Sequence, residues 1–298
     1  MGDDLVDPRW RTVAASVAGT SHASSGQPCA DACAVRILQA AGGGWLLVAV
    51  AADGAGASER AAEGARLACE AILAQAESWS NGARARVRLG RRSGAGKRPR
   101  ARRGRPARDL STFRRKDVLH WLEAARRRIV EAALSKNLES RDFSCTLLVA
   151  LVDETRAVFF QIGDGAIVYR GKGGGYVPAL WPQSGEYANC TSFLTDEQAA
   201  DRVESTVAQG VHEVALLTDG LQALALRFGS REAHGPFFEP MFARLQREPE
   251  PGAQGLLDEL RAFLDSPSVN RRTDDDKTLV LATRLPTTPA GEANAAGG

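Results

Sequence analysis

The sequence has no C-x-x-C pair. Its five cysteines, Cys29, Cys33, Cys69, Cys145 and Cys190, are odd in number and lack metal-ligand spacing. That argues against a zinc module and against a disulfide framework. Cys29 and Cys33, the one close pair, offer only two thiols for a metal or redox role. No uncharged apolar run approaches membrane-spanning length. The start, Met1-Gly2-Asp3-Asp4, is acidic and lacks an apolar signal core. The expected setting is the cytoplasm, with no membrane partner. No aromatic residue lies between Gly82 and Ser111, so the most basic part of the chain has nothing on which bases could stack.

What is present is ordinary in bulk and uneven in charge. The 298 residues, 44% hydrophobic, suffice for a sizeable core. The formal charge of +2 hides an asymmetry. Residues 82–116 hold 15 Lys/Arg against the single acid Asp109, a local +14 that leaves the remainder at −12. An acidic body suits a cation site. The basic stretch, rich in Arg, Gly, Pro and Ala, cannot bury enough surface to offset its ordering entropy. It reads as a disordered insertion over 82–116, either a solvated linker or an arm for nucleic acid or another acidic partner.

Around the insertion the periodicities alternate. Val13–Gly19, Ala32–Leu38 and Trp45–Ala52 read as strands, with 21–28 a loop between the first two. A helix over Ser58–Ser78, capped by Ser58, and a second over Lys116–Lys136 flank the insertion. Cys145–Val152, Val158–Ile162 and Ala166–Tyr169 follow with short connections that predict an antiparallel meander. Then come strands over Val203–Val207 and Val211–Thr218, helices over Phe237–Arg247 and Gly255–Leu264, and a last strand over Thr278–Thr283. The order argues for an α+β fold with antiparallel sheets, not βαβ alternation. Two sheets packed face to face with helices outside each would bury this many strands. The tail, 286–298, is rich in small residues and reads as disordered.

Four of these apolar runs meet a carboxylate at one end. Val48–Ala52 leads to Asp53-Gly54; Ala157–Ile162 leads to Gly163-Asp164-Gly165; Val214–Leu217 leads through Thr218 to Asp219-Gly220. Asp274-Asp275-Asp276 precedes the last strand. Pairing of the second and third strands as a hairpin would bring Asp31 beside Asp53. Several aspartates converging from strand ends make an open carboxylate site for a hard divalent cation, Mg2+ or Mn2+. Each Asp-Gly taken alone is also a common turn pair.

Assembled in this order, the residues resemble the metal-dependent protein phosphatases, the type 2C serine/threonine family, from about Val13 to Leu285. The resemblance implies a four-layer α/β/β/α sandwich carrying two Mn2+ or Mg2+ ions at one end, with a third ion in some members. It implies a phosphatase domain over 1–285, interrupted by 82–116. Asp53 would bridge the metals and the Gly54 carbonyl would bind one of them. Asp219 and Asp275 would complete one ion, Asp164 would serve a third, and Asp31 would orient water from behind. The implied activity is hydrolysis of phosphoserine or phosphothreonine on a protein, such as the target of a Ser/Thr kinase, by a monomeric enzyme.

Three positions depart from the family pattern. Ala30 stands where Glu or Gln is usual, Ala55 where animal members carry a general-acid His, and Gly26 where those members carry a phosphate-binding Arg. These departures leave open a pseudophosphatase, the same fold used as a binding module. The intact Asp53, Asp219 and Asp275 argue for the enzyme. His22 is the histidine nearest the expected site, either as a replacement proton donor or as a solvated loop residue.

Overall fold

The computed structural model describes residues 9–40, 43–56, 58–82, 109–183, 191–249 and 254–285. Strand β1 (Trp10–Val17) leads into a short helix α1 (Thr20–Ser25), then β2 (Ala32–Gln39), β3 (Trp45–Ala52) and helix α2 (Ala61–Ser80). Helix α3 (Arg115–Ser135) is followed by β4 (Leu147–Val152), β5 (Arg156–Ile162), β6 (Ala166–Gly171) and β7 (Tyr176–Leu180). After α4 (Ala199–Arg202) come β8 (Glu204–Gln209), β9 (Val211–Leu217), α5 (Gln222–Ala225) and the small hairpin β10 (Leu226–Arg227) and β11 (Glu232–Ala233). Helices α6 (Gly235–Gln246), α7 (Gln254–Leu264) and α8 (Pro267–Asn270) precede β12 (Lys277–Arg284).

Two five-stranded sheets result, in the orders β2-β3-β4-β5-β8 and β1-β12-β9-β6-β7. Every neighbouring pair is antiparallel. β3 and β4 are apolar on both faces because both faces are covered. One face meets α2 and α3 through Val48, Val50, Ile72, Leu122 and Ile129. The other meets the second sheet through Leu47, Ala49, Phe159, Leu216 and Val280. The second sheet is covered outside by α6 and α7 through Leu279, Leu281, Phe238, Phe242 and Leu260. The expected four-layer α/β/β/α sandwich of two antiparallel sheets is therefore the observed architecture.

Four local expectations are corrected. Residues 20–25 form a helix rather than part of a loop. Ser21 N–H donates to Asp274 O at 3.0 Å, and the Ser24 and Ser25 hydroxyls bond back to Ser21 O. Ser58 does not cap α2; its Oγ donates to Arg141 O at 3.0 Å, and Arg60 stands at the cap position without a side-chain bond. The meander is broken, since β5 and β6 lie in different sheets, as do β8 and β9. The turn Gly163-Asp164-Gly165 crosses the sandwich. Three extended residues reach about 10 Å, the spacing of packed sheets, so a short connection serves a crossing as well as a hairpin.

The fourth correction concerns the basic stretch. Most of the expected insertion, 83–108, lies outside the described residues, as does the tail 286–298. Residues 109–116 are described and belong to the body. Leu110 is fully buried, and Phe113, 3% exposed, packs edge-on between Trp79 and Trp121 at 5.9 and 5.1 Å. Among the described residues no helix is long and apolar enough to cross a membrane.

Candidate metal centre

The hairpin β2–β3 pairs Ala32 with Ala52, which brings Asp31 and Asp53 to the same end of the first sheet. Past β3 the backbone keeps pairing for a short distance. Thr146 N–H donates to Asp53 O at 2.8 Å, Asp53 N–H to Thr146 Oγ1 at 2.9 Å, and Ala55 N–H to Ser144 O at 2.9 Å. This fixes the Asp53 main chain while its side chain is half-buried. From the second sheet, β9 ends at Leu217, and Asp219 opens a 3-10 turn. Asp164 arrives on the crossing between the sheets, with Thr191 Oγ1 donating to its Oδ2 at 2.6 Å.

One carboxylate oxygen from each of Asp53, Asp164 and Asp219 lies within 4.8 Å of the other two. They open into a cleft of about 190 Å³ that His22, Gly54, Thr146 and Asp275 also line. Asp275 is exposed on the wall, outside the tight group of three. Asp31 sits apart from that wall and is 8% exposed. Its Oδ2 accepts from Thr218 Oγ1 at 2.8 Å, and its buried Oδ1 has no hydrogen-bond partner.

The electrostatics are those of a site short of positive charge. Burial raises the Asp53 carboxyl far above the ordinary carboxylate range, and the charges of Asp31 and Asp219 push the same way. Burial raises Asp219 too, against hydrogen bonding that favours its charged form. Asp31 is pushed up to about 7 by burial, opposed by the nearby Thr278 and Thr218 hydroxyls. Asp219 Oδ1 is buried without a partner. Among the described residues no Lys or Arg lines the cleft. Four carboxylates on one small cleft, with an orphaned oxygen among them, fit hard divalent cations and little else.

Both Asp-Gly pairs owe their glycine to close packing of the backbone. A Cβ on Gly54 would stand 2.6 Å from Ala30 O and 2.8 Å from Ala61 Cβ. One on Gly220 would stand 2.0 Å from Asp276 O. The glycines let the strand ends press together, which in turn gathers the aspartates.

Sequence reasoning missed the residues that brace the site. Asp276 is 3% exposed and accepts from Gly19 N–H at 2.7 Å and Ala30 N–H at 2.5 Å; its Oδ1 lies 2.9 Å from His22 Nδ1. It ties the ends of β1 and β12 to the approach of β2. Thr218 links the two sheets by donating to Asp31 and accepting Thr278 N–H at 3.0 Å. Single polar residues in strands give no signal of such contacts. Only the run Asp274-Asp275-Asp276 hinted that more than one of its acids had work.

A family model described as protein phosphatase 2C matches residues 18–265. The chain belongs to the protein phosphatase 2C family. It is 37% identical over 276 residues to serine/threonine-protein phosphatase 3 of Escherichia coli (strain K12), covering 92% of this chain and 98% of that protein. Among solved structures it is similar to a bacterial serine phosphatase, with a TM-score of 0.58 at 13% identity over 93% of this chain and 98% of that one. Serine/threonine phosphatase Stp1 from Staphylococcus aureus gives 0.56 at 12% identity over 96% and 99%. These two likenesses agree on the fold. Membership makes the chain a protein phosphatase of a metal-dependent kind, and the carboxylate group at the joined strand ends is in keeping with that.

Proposed function

We propose that this protein phosphatase 2C member removes phosphate from phosphoserine and phosphothreonine of cytoplasmic proteins. It would use two Mn2+ or Mg2+ ions held by Asp53, the Gly54 carbonyl, Asp219 and Asp275, with Asp164 available to a third. The observation that carries this reading is the convergence of Asp53, Asp164 and Asp219 within 4.8 Å on a cleft that no lysine or arginine among the described residues lines. Divalent cations bound there would activate water and neutralise phosphoryl oxygens during in-line displacement.

The chain's own residues supply position. Asp164, on the crossing, stands between Asp53 and Asp219 in sheet origin, and the Asp53 main chain is pinned by Thr146. Asp219 presents an unsatisfied buried oxygen. Asp31, held by Thr218, adds negative charge from behind and keeps the cluster selective for cations. The substrate would be the target of a Ser/Thr kinase, and the protein would work as a monomer. Ala30, Ala55 and Gly26 favour a second reading, a weak enzyme that mainly binds phosphoproteins.

Asp53→Asn tests the metal assignment. It should abolish Mn2+-dependent hydrolysis of p-nitrophenyl phosphate while the fold persists, because removing one of several repelling carboxylates relieves strain in the metal-free protein. Turnover like that of the wild type would overturn the assignment of Asp53.

A further inference from the structure

Three depressions meet at the ridge Ala55–Gly56. One is the carboxylate cleft. A groove of about 480 Å³, walled by Ser58, Arg141, Asp142, Ser144 and Phe193, leaves it on one side, with the Asp142 carboxylate accepting from Glu139 N–H at 3.0 Å. A second of about 380 Å³, walled by His22, Gln27, Pro28 and Glu59, leaves it on the other. Ala55 and Gly56 line all three. Among the residues lining them, Arg141 is the one lysine or arginine.

Arg141 combines an anchored backbone with a free head. Its carbonyl accepts from Ser58 Oγ at 3.0 Å, Ser144 Oγ at 2.8 Å and Ser144 N–H at 3.2 Å. The next carbonyl, of Asp142, accepts Arg60 N–H at 2.7 Å. The turn bearing Arg141 is thereby fixed to the loop that follows Asp53. Its side chain is 78% exposed and, among the described residues, pairs only with Glu139, at 2.9 Å, itself 68% exposed. Such a surface pair contributes little and exchanges readily for another anion. The opposite groove has an acid and, among the described residues, no lysine or arginine: Glu59 is 72% exposed, with Arg60 at 3.9 Å.

We propose that the Arg141 groove holds the substrate chain beside the phosphorylated residue and selects an acidic side chain there, on one side only. This rests on the phosphatase reading above. Cations in the cleft can hold the phosphate, but nothing on the cleft walls holds the flanking peptide. The groove is continuous with the cleft, large enough for one or two side chains, and its single cation stands on an anchored backbone. Glu59 across the ridge disfavours acid on the other side.

The test uses the full chain with Mn2+, p-nitrophenyl phosphate as baseline, and phosphothreonine peptides with Asp, Ala or Lys at successive positions on each side. The wild type should prefer Asp at positions on one side by about two- to fivefold in kcat/KM, the scale of an exposed ion pair, and less in high salt. Arg141→Ala should erase the preference, Arg141→Lys should keep part of it, and Arg141→Glu should turn it toward Lys. Retention of the wild-type preference in Arg141→Ala would overturn the proposal. So would an equal loss on all substrates including p-nitrophenyl phosphate, which would put the guanidinium on the transferred phosphate. A wild type inactive on p-nitrophenyl phosphate would instead fail the phosphatase reading. Fluorescence anisotropy of the same labelled peptides then decides the groove: loss of Asp selectivity on Arg141→Ala supports it, and unchanged selectivity overturns it.

Discussion

Thr218 Oγ1 donates to Asp31 Oδ2 at 2.8 Å, a bond that runs from one sheet to the other at the end where the aspartates collect. Thr218 immediately precedes Asp219, and Asp31 lies opposite Asp53 on the β2–β3 hairpin. The contact therefore sets the spacing between two carboxylates that come from different sheets. It also makes the acids of both sheets one electrostatic unit.

That unit predicts a pH dependence. Asp31 is raised to about 7, and Asp53 and Asp219 are raised as well. A carboxyl raised in the folded state gives stability that is complete below its unfolded pKa of about 4 and lost as pH climbs through the folded value. The metal-free protein should thus lose stability from this site as pH rises from about 4 through 7 and, through Asp53, beyond it. Mn2+ binds the deprotonated ligands, so it should raise Tm more at pH 8 than at pH 5.5. Asp53→Asn should flatten the difference. Scanning fluorimetry with and without Mn2+ checks this, and a larger metal effect at the lower pH would contradict it.

The ordered end of the basic stretch predicts a sharp deletion boundary. Phe113 is wedged between Trp79 and Trp121, and Leu110 is fully buried. Phe113→Ala should cost about 3–5 kcal/mol in urea unfolding, the range for emptying a buried aromatic site. Replacing 83–108 with a short Gly/Ser bridge should keep p-nitrophenyl phosphate activity near that of the wild type. Carrying the deletion through Phe113 should abolish folding. Equal stability of the two deletions would remove the 110–113 segment from the core.

The middle of the first sheet was legible because β3 and β4 are apolar without interruption. The aspartates were legible because each ends such a run. Sheet membership was not legible at Gly163-Asp164-Gly165, where one length of loop suits both a hairpin and a crossing. Leu110 and Phe113 were masked by the arginines around them. The Asp-Gly glycines were visible, but their cause was not: Gly54 yields to Ala30 and Ala61, and Gly220 to Asp276, contacts that exist only once the chain is folded. Arg141 gave no signal, since nothing in its neighbourhood marks it off from other surface arginines.

His22 would be the proton donor that Ala55 cannot be. It lines the carboxylate cleft, and its Nδ1 lies 2.9 Å from Asp276 Oδ1. A p-nitrophenolate leaves without a proton, whereas a serine alkoxide needs one. General acid catalysis is worth about 10²–10⁴-fold. His22→Ala should therefore slow a phosphoserine peptide far more than p-nitrophenyl phosphate. Equal slowing of both substrates would give His22 a binding or structural role.

The central claim is that the joined aspartates make a metal-dependent phosphoprotein phosphatase. Release of inorganic phosphate from a phosphothreonine peptide, by purified protein with Mn2+ or with chelator, tests it most directly. The account predicts steady multiple turnover with Mn2+, none with chelator, and none from Asp53→Asn under either condition. Phosphate release that persists in chelator, or a wild type that binds the peptide with Mn2+ without releasing phosphate, would contradict it.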